Sequence, residues 1–135
     1  MRLLFLMVAL AGLSLASCSK YDEGKASLAS KKSRIVNNWA VVKITANGFD
    51  ITSAKLITSV DVRNNNTLTV NGEIFGEPYS NVGTWAFNSG KTHVLVSNSD
   101  GSADSYEIIK LEKDSMKLSI VNGDGITIEY EFKTA

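Results

Sequence analysis

Ile126-Thr127-Ile128-Glu129-Tyr130-Glu131-Phe132-Lys133 is the stretch whose reading decides the fold. Ile126, Ile128, Tyr130 and Phe132 fall on one face, and Thr127, Glu129, Glu131 and Lys133 on the other. Successive side chains of a strand point to opposite faces, so this alternation is that of a strand with one dry and one wet side. A sheet wet on one face is antiparallel, because parallel sheets are covered on both. Working backwards, Met116, Leu118 and Ile120 alternate with Lys117 and Ser119, and Leu68 and Val70 with Thr67, Thr69 and Asn71. The period of two begins at Asn38, and it gives eight candidate strands: 38–46, 56–63, 67–74, 81–88, 92–98, 103–111, 115–121 and 125–134.

The connections are short and rich in turn residues: Asn64-Asn65-Asn66, Asn88-Ser89-Gly90 and Asn122-Gly123-Asp124-Gly125. Asn-Gly suits a hairpin turn with positive φ. Short hairpins join neighbours, and eight meandering strands escape exposed edges by closing into a barrel. No stretch is long enough for a helical crossover, which excludes parallel α/β folds. Pro78 is placed in a loop, Gly76-Glu77-Pro78-Tyr79, where it breaks no ladder. Segment 47–56 reads two ways, as a turn capped by Asp50 or as a loop lid. Ahead of the strands, residues 26–36 space Leu28, Lys32 and Ile35 at helical intervals, which predicts one short helix. The expected fold is all-β, a small eight-stranded antiparallel up-and-down barrel preceded by that helix.

Composition narrows the chemistry. Fourteen Lys and Arg balance fourteen Asp and Glu, so overall charge offers nothing to nucleic acid. The chain has one Cys, one His and one Pro. One Cys excludes a disulfide scaffold, and so few Cys and His argue against a zinc site. Residues 20–63 hold eight Lys or Arg against four Asp or Glu, while 64–135 hold five against ten. Lys31, Lys32 and Arg34 cluster in the basic half, as a solvated helix face or a contact to anionic headgroups.

The first residues read as an address. Met1-Arg2 precedes an uncharged run from Leu3 to Leu15. At ~1.5 Å per residue this run is too short for a ~30 Å hydrocarbon core, so it is the apolar region of a signal peptide. Leu15-Ala16-Ser17-Cys18 follows, and it resembles a bacterial lipobox. The resemblance implies diacylglycerol on the Cys18 sulfur and cleavage before it, which anchors the chain in a membrane. The expected organisation is a cleaved signal peptide over 1–17, the lipidated Cys18 with a polar tether over 18–26, and the barrel over 27–135. Ser19, rather than Asp, resembles the sorting signal for the outer membrane. Asp22-Glu23 resembles the surface-export signal of lipoproteins from the Bacteroidota. The periplasmic face and the cell surface both stay open.

Two tryptophan strands carry a second resemblance. Ile35-Val36-Asn37-Asn38-Trp39 brings a short helix into a Trp near the start of the first strand. This resembles the opening motif of lipocalins, with Asn37 where Gly is usual; Asn tolerates positive φ. Gly83-Thr84-Trp85-Ala86-Phe87, followed by Tyr106 to Leu118, is similar to the lipocalin-like lipoproteins of Bacteroidota. The likeness covers roughly residues 33–133. It implies a calycin-type barrel with room for a small apolar molecule, and a Trp plugging the closed end.

Parity gives the inward set as Val60, Val62, Leu68, Val70, Trp85, Phe87, Leu95, Met116, Leu118, Ile120, Ile126, Ile128, Tyr130 and Phe132. These are large, and eight short strands enclose little volume, which predicts a mostly filled interior with a small cleft at one end. The candidate ligand-binding residues are Trp39, Trp85, Phe87, Met116, Leu118, Ile128 and Tyr130. His93 shares parity with Leu95 and so points inward on this reading, without a second His or Cys for a metal. Asn98 to Asp104 resembles a calcium loop, but Gly101 at the sixth position puts Val96 at the first, which cannot ligate. Glu129 and Glu131 are paired carboxylates on a wet face, with no apolar pocket to shift a pKa. With no nucleophile–base set, no catalytic residues, no metal and no cofactor are assigned. The expected function is an outer-membrane lipoprotein whose barrel binds a small apolar or amphipathic ligand. The alternative is a filled barrel that inhibits a protease or lysozyme, or binds another envelope protein through Phe49, Pro78, Tyr79 or the 98–104 loop.

Overall fold

The computed structural model describes residues 31–135, and residues 34–135 form one compact unit. The signal peptide, Cys18, the tether and the first part of the expected helix lie outside the described residues. Residues 31–35 are helical. Nine strands follow: β1 (Asn37–Ala46), β2 (Phe49–Asp50), β3 (Ser59–Val62), β4 (Thr67–Ile74), β5 (Glu77–Phe87), β6 (His93–Asn98), β7 (Ala103–Leu111), β8 (Ser115–Val121) and β9 (Thr127–Thr134). Each pairs antiparallel with its neighbour, and β1 pairs with both β3 and β9. Trp39 is the joint: Val60 lies opposite it on one side and Thr134 on the other. Eight strands thus close a barrel, while β2 only extends β1 by a two-residue hairpin.

Closure needs local kinks, and two bulges supply them. In β1 the register against β9 jumps between Val41 and Lys43, leaving Val42 unpaired and 51% exposed. In β7 it jumps between Ile108 and Lys110, leaving Ile109 in the same state. Each bulge shifts parity, so Ile44 and Leu111 turn inward beyond it and are buried.

Hairpin chemistry follows a shared plan. In Asn98–Gly101 and Asn122–Gly125, the fourth residue is a glycine at positive φ whose amide donates to the first residue's carbonyl. Positive φ thus falls on Gly125, not on the Asn122-Gly123 pair. Asn66 and Lys91 hold the same place in two other turns at φ 68° and 55°, without glycine's freedom. Asn47-Gly48 and Phe75-Gly76, all at positive φ, make the two tight two-residue turns.

Several expectations are corrected. Pro78 lies inside β5, opposite Glu73. Beyond Gly83 towards Glu77, β5 pairs with β4 alone, so the missing Pro78 amide breaks no second ladder. Asn37 is a strand residue without positive φ, and its Oδ1 accepts from the Asn38 amide. In β6 it is Val94 and Val96 that face inward. Leu95 is 41% exposed, and His93 shares its outer face. An apolar run of Val94, Leu95 and Val96 carries no parity of its own; pairing with Tyr106 and Asp104 sets it. Of the expected strand 56–63, 59–62 pairs in register with both neighbours and Thr58 still bonds to each, accepting from the Val41 amide and donating to the Asn71 carbonyl; before that the chain follows β4.

The core sits at the end where β1 begins. Ile35, Trp39, Val62, Leu68, Trp85, Val94, Leu111, Met116, Leu118 and Phe132 form one buried cluster there. Each such side chain contributes about 1.5–3 kcal/mol by leaving water. Both indole N–H groups donate to backbone at this end, Trp39 to the Ile35 carbonyl at 2.8 Å and Trp85 to the Arg63 carbonyl at 2.9 Å. Arg34 Nη1 donates to the Leu111 carbonyl and the Ala135 amide to that of Asn38. The lower end is therefore plugged and tied.

Candidate functional site: a tyrosine-rimmed barrel cavity

Above this plug the barrel is not full. A cavity of about 230 Å³ opens towards the far end, where the 47–58, 75–76, 98–102 and 122–126 connections lie. Trp85, Leu68 and Met116 form its floor, and Val70, Val96 and Leu118 its walls. Its upper part is polar: Tyr79, Tyr106 and Tyr130 from three strands, with Asn81, Asn98 and Asp100.

Each rim group is placed by backbone features. Tyr106 follows from the β6–β7 register, which sets it opposite Val94 on the inner face. Tyr130 meets Tyr106 edge-on, with ring centroids 6.1 Å apart, and stacks on Phe132. The Tyr79 hydroxyl donates to the Leu56 carbonyl and so ties the 51–58 segment to β5. Gly72 opposes Tyr79 and makes room for that segment: a Cβ there would lie 2.1 Å from the Leu56 oxygen. The segment is further held by the Thr58 amide to the Asn71 carbonyl and the Glu73 amide to that of Lys55. Asp50 accepts from the backbone and side chain of Thr52 at 2.9 and 2.6 Å, fixing the 3-10 turn Thr52–Ala54. Of the two sequence readings of 47–56, the turn is present, though Ile51 rather than Asp50 is its N-cap, and none of these residues lines the cavity, which begins at Ile57.

The electrostatics are one-sided. Among the described residues, none that lines the cavity is Lys, Arg or His. Burial raises the Tyr106 phenol well above its ordinary value, and nearby Tyr130 and Asp104 add to the effect. Burial likewise raises Tyr130 and Tyr79. All three are neutral donors at neutral pH. Neither the Tyr106 nor the Tyr130 hydroxyl meets a hydrogen-bond partner among the described residues. Asp100 is held below the usual carboxylate range by Ser102, whose hydroxyl and amide donate to Oδ1 at 2.6 and 2.9 Å. The loop that resembled a calcium site is this hairpin turn.

Of the residues singled out from sequence, Trp85, Met116, Leu118 and Tyr130 line the cavity. Trp39 does not: it is 0% exposed and belongs to the plug. Phe87 packs edge-on against Trp85, below the cavity. Ile128 lies beyond Tyr130 towards the open end and is not among the lining residues. Sequence reasoning missed Tyr106 and Val96, and singled out Tyr79 only as a contact for a protein partner. The signal for Tyr106 was its parity with Ile108, in a strand whose polar residues masked the inner face. His93 faces out, with Nδ1 2.8 Å from the Thr92 hydroxyl. Glu129 pairs with Lys117 at 3.3 Å on the wet face. Among the described residues, no three His, Cys, Asp or Glu gather as metal ligands, and no helix is long and apolar enough to cross a membrane.

No family model matches the chain, and no curated protein matches it. Solved structures do resemble it. A de novo designed fluorescence-activating β-barrel aligns at TM-score 0.52 and 15% identity, over 77% of this chain and 96% of the design. The bovine lipocalin allergen Bos d 2 aligns at TM-score 0.50 and 11% identity, over 77% and 75% of the two chains. Bovine odorant-binding protein, solved with a selenium-containing odorant, aligns at 0.50 and 10%, over 77% and 72%. At such identities the likeness is one of fold, and the fold of this chain is lipocalin-like.

Proposed function

We propose that this chain is a lipid-anchored lipoprotein of the outer membrane, on its periplasmic face or at the cell surface, whose barrel binds a small apolar or amphipathic molecule without catalysis. The observation that carries the binding reading is the cavity of about 230 Å³ with an apolar floor and a polar rim. Ligand sites are concave and mostly apolar, with a few polar groups to fix orientation. Scaling from a ~150 Å³ cavity that holds benzene, this one suits a molecule of on the order of ten non-hydrogen atoms. The odorant carried by the bovine protein supports the class of ligand. The anchor rests on Leu15-Ala16-Ser17-Cys18 and on the likeness to lipoproteins of Bacteroidota.

Trp85 lines the cavity and provides the readout. Titrating 2-phenylethanol into the mature protein is expected to change tryptophan emission saturably, and Leu118→Trp, which fills the cavity, is expected to abolish the change. A response without saturation, or one that survives the filled variant, would overturn the binding reading. For the anchor, Cys18→Ser is expected to release the protein from membranes and to abolish labelling by radioactive palmitate.

A second reading has its own observation. Phe49 and Phe75 stand 77% and 103% exposed at turns of the open end. This favours a contact with another envelope protein through that end. A stoichiometric partner that co-purifies from membranes and is lost on Phe75→Asn would support it.

A further inference from the structure

The cavity's charge pattern says more than its volume does. The lining offers aromatic rings and neutral phenols, but among the described residues no Lys, Arg or His. Among the described residues, the only charged group in the lining is the carboxylate of Asp100. A second carboxylate, that of Asp104, acts on Tyr106 and Tyr130 through its charge. Asp104 is two residues before Tyr106 in β7 and opposite Val96, so it shares the inner face of the strand at the open rim. It is exposed and makes no ion pair among the described residues. A carboxylate ligand would therefore enter a site with no counter-ion and two like charges. Burying an unpaired charge costs several kcal/mol, and like charges add to that cost.

A cation meets the opposite conditions. Two carboxylates attract it at the rim, and the aromatic rings of Tyr106 and Tyr130, which meet edge-on, line the cavity with them. The apolar part of such a molecule would rest on Val96, Leu118 and Trp85. We propose that the barrel selects a small amine with a compact apolar body, its ammonium group at the Asp100–Asp104 rim against Tyr106 and Tyr130. This rests on the ligand-binding reading above and names the ligand class of that site.

The test uses three probes of one shape: 2-phenylethylamine, 2-phenylethanol and 3-phenylpropionate, titrated into the mature protein at neutral pH. The amine is expected to bind about five- to tenfold tighter than the alcohol, the size of one or two partly screened charge contacts. The carboxylate is expected to bind weakest. Asp104→Asn is the informative variant, because Asp104 is exposed, whereas Asp100 also holds its turn through Ser102. It is expected to cost the amine about fivefold and the alcohol less than twofold. Raising salt should erode the same advantage. If the alcohol or the carboxylate binds as well as the amine, the inference is overturned and the binding reading stands. It is also overturned if the amine's advantage survives both Asp104→Asn and high salt. If none of the three binds saturably, the ligand-binding reading itself falls.

Discussion

Single residues of this barrel often stand where a generic side chain would not be chosen. Phe75 occupies the first central position of a two-residue hairpin at φ 52°, where Asn, Asp or Gly is favoured, and it is wholly exposed. A left-handed conformation costs a branched or bulky residue about 1 kcal/mol or more, and exposure of the ring returns nothing. Phe75→Asn is therefore expected to raise stability by about 1 kcal/mol, visible as a higher urea midpoint with an unchanged slope. Strain kept at an exposed aromatic is what a contact residue would show. Asn47-Gly48 is the opposite case. It is a favoured hairpin dipeptide, yet 47–56 reads only as a capped turn or a lid, because the strand after it is two residues long and gives the sequence no period to read.

At the scale of elements, the eight barrel strands were legible because each alternates over enough residues to define a face. β4, β7 and β8 match their expected bounds, Thr67–Ile74, Ala103–Leu111 and Ser115–Val121. Where the expectation slipped, a neighbour decided. Leu95 looked inward until pairing with β7 gave that face to Val94 and Val96. The bulges at Val42 and Ile109 break alternation inside strands and leave no mark on composition. The 51–58 segment depends on one close approach. Gly72→Ala would place a Cβ 2.1 Å from the Leu56 oxygen and 2.8 Å from Tyr79 Cε1. The cost is expected to be about 1–3 kcal/mol, as for other overpacked sites. Faster hydrogen exchange at the Thr58 and Glu73 amides would locate the damage in this segment, because both donate across it.

For the whole molecule, the filled lower end and the open upper end together set how the protein responds to its surroundings. Tyr106, Tyr130 and Tyr79 are held neutral by burial, whereas in the unfolded chain a phenol ionises near 10. Above that pH the unfolded state sheds protons that the folded state keeps, so stability falls as pH rises; below it this contribution is intact. The urea midpoint is expected to stay level up to about pH 9 and drop between ~10 and ~11.5, and Tyr106→Phe is expected to shrink the drop. The candidate site was half legible. Trp85, Met116, Leu118 and Tyr130 were singled out because large apolar residues on an inner face must lie in the barrel. The same logic included Trp39, which the closing pairing with β3 and β9 puts in the plug instead. By itself the sequence determined the strand period, the meander and the closed barrel, because these follow from local alternation. Only the tertiary structure decided which residues rim the cavity and that, among the described residues, no Lys, Arg or His lines it. Those properties depend on the register and bulges that bring distant strands to one mouth, and register is set by pairing rather than by any one strand.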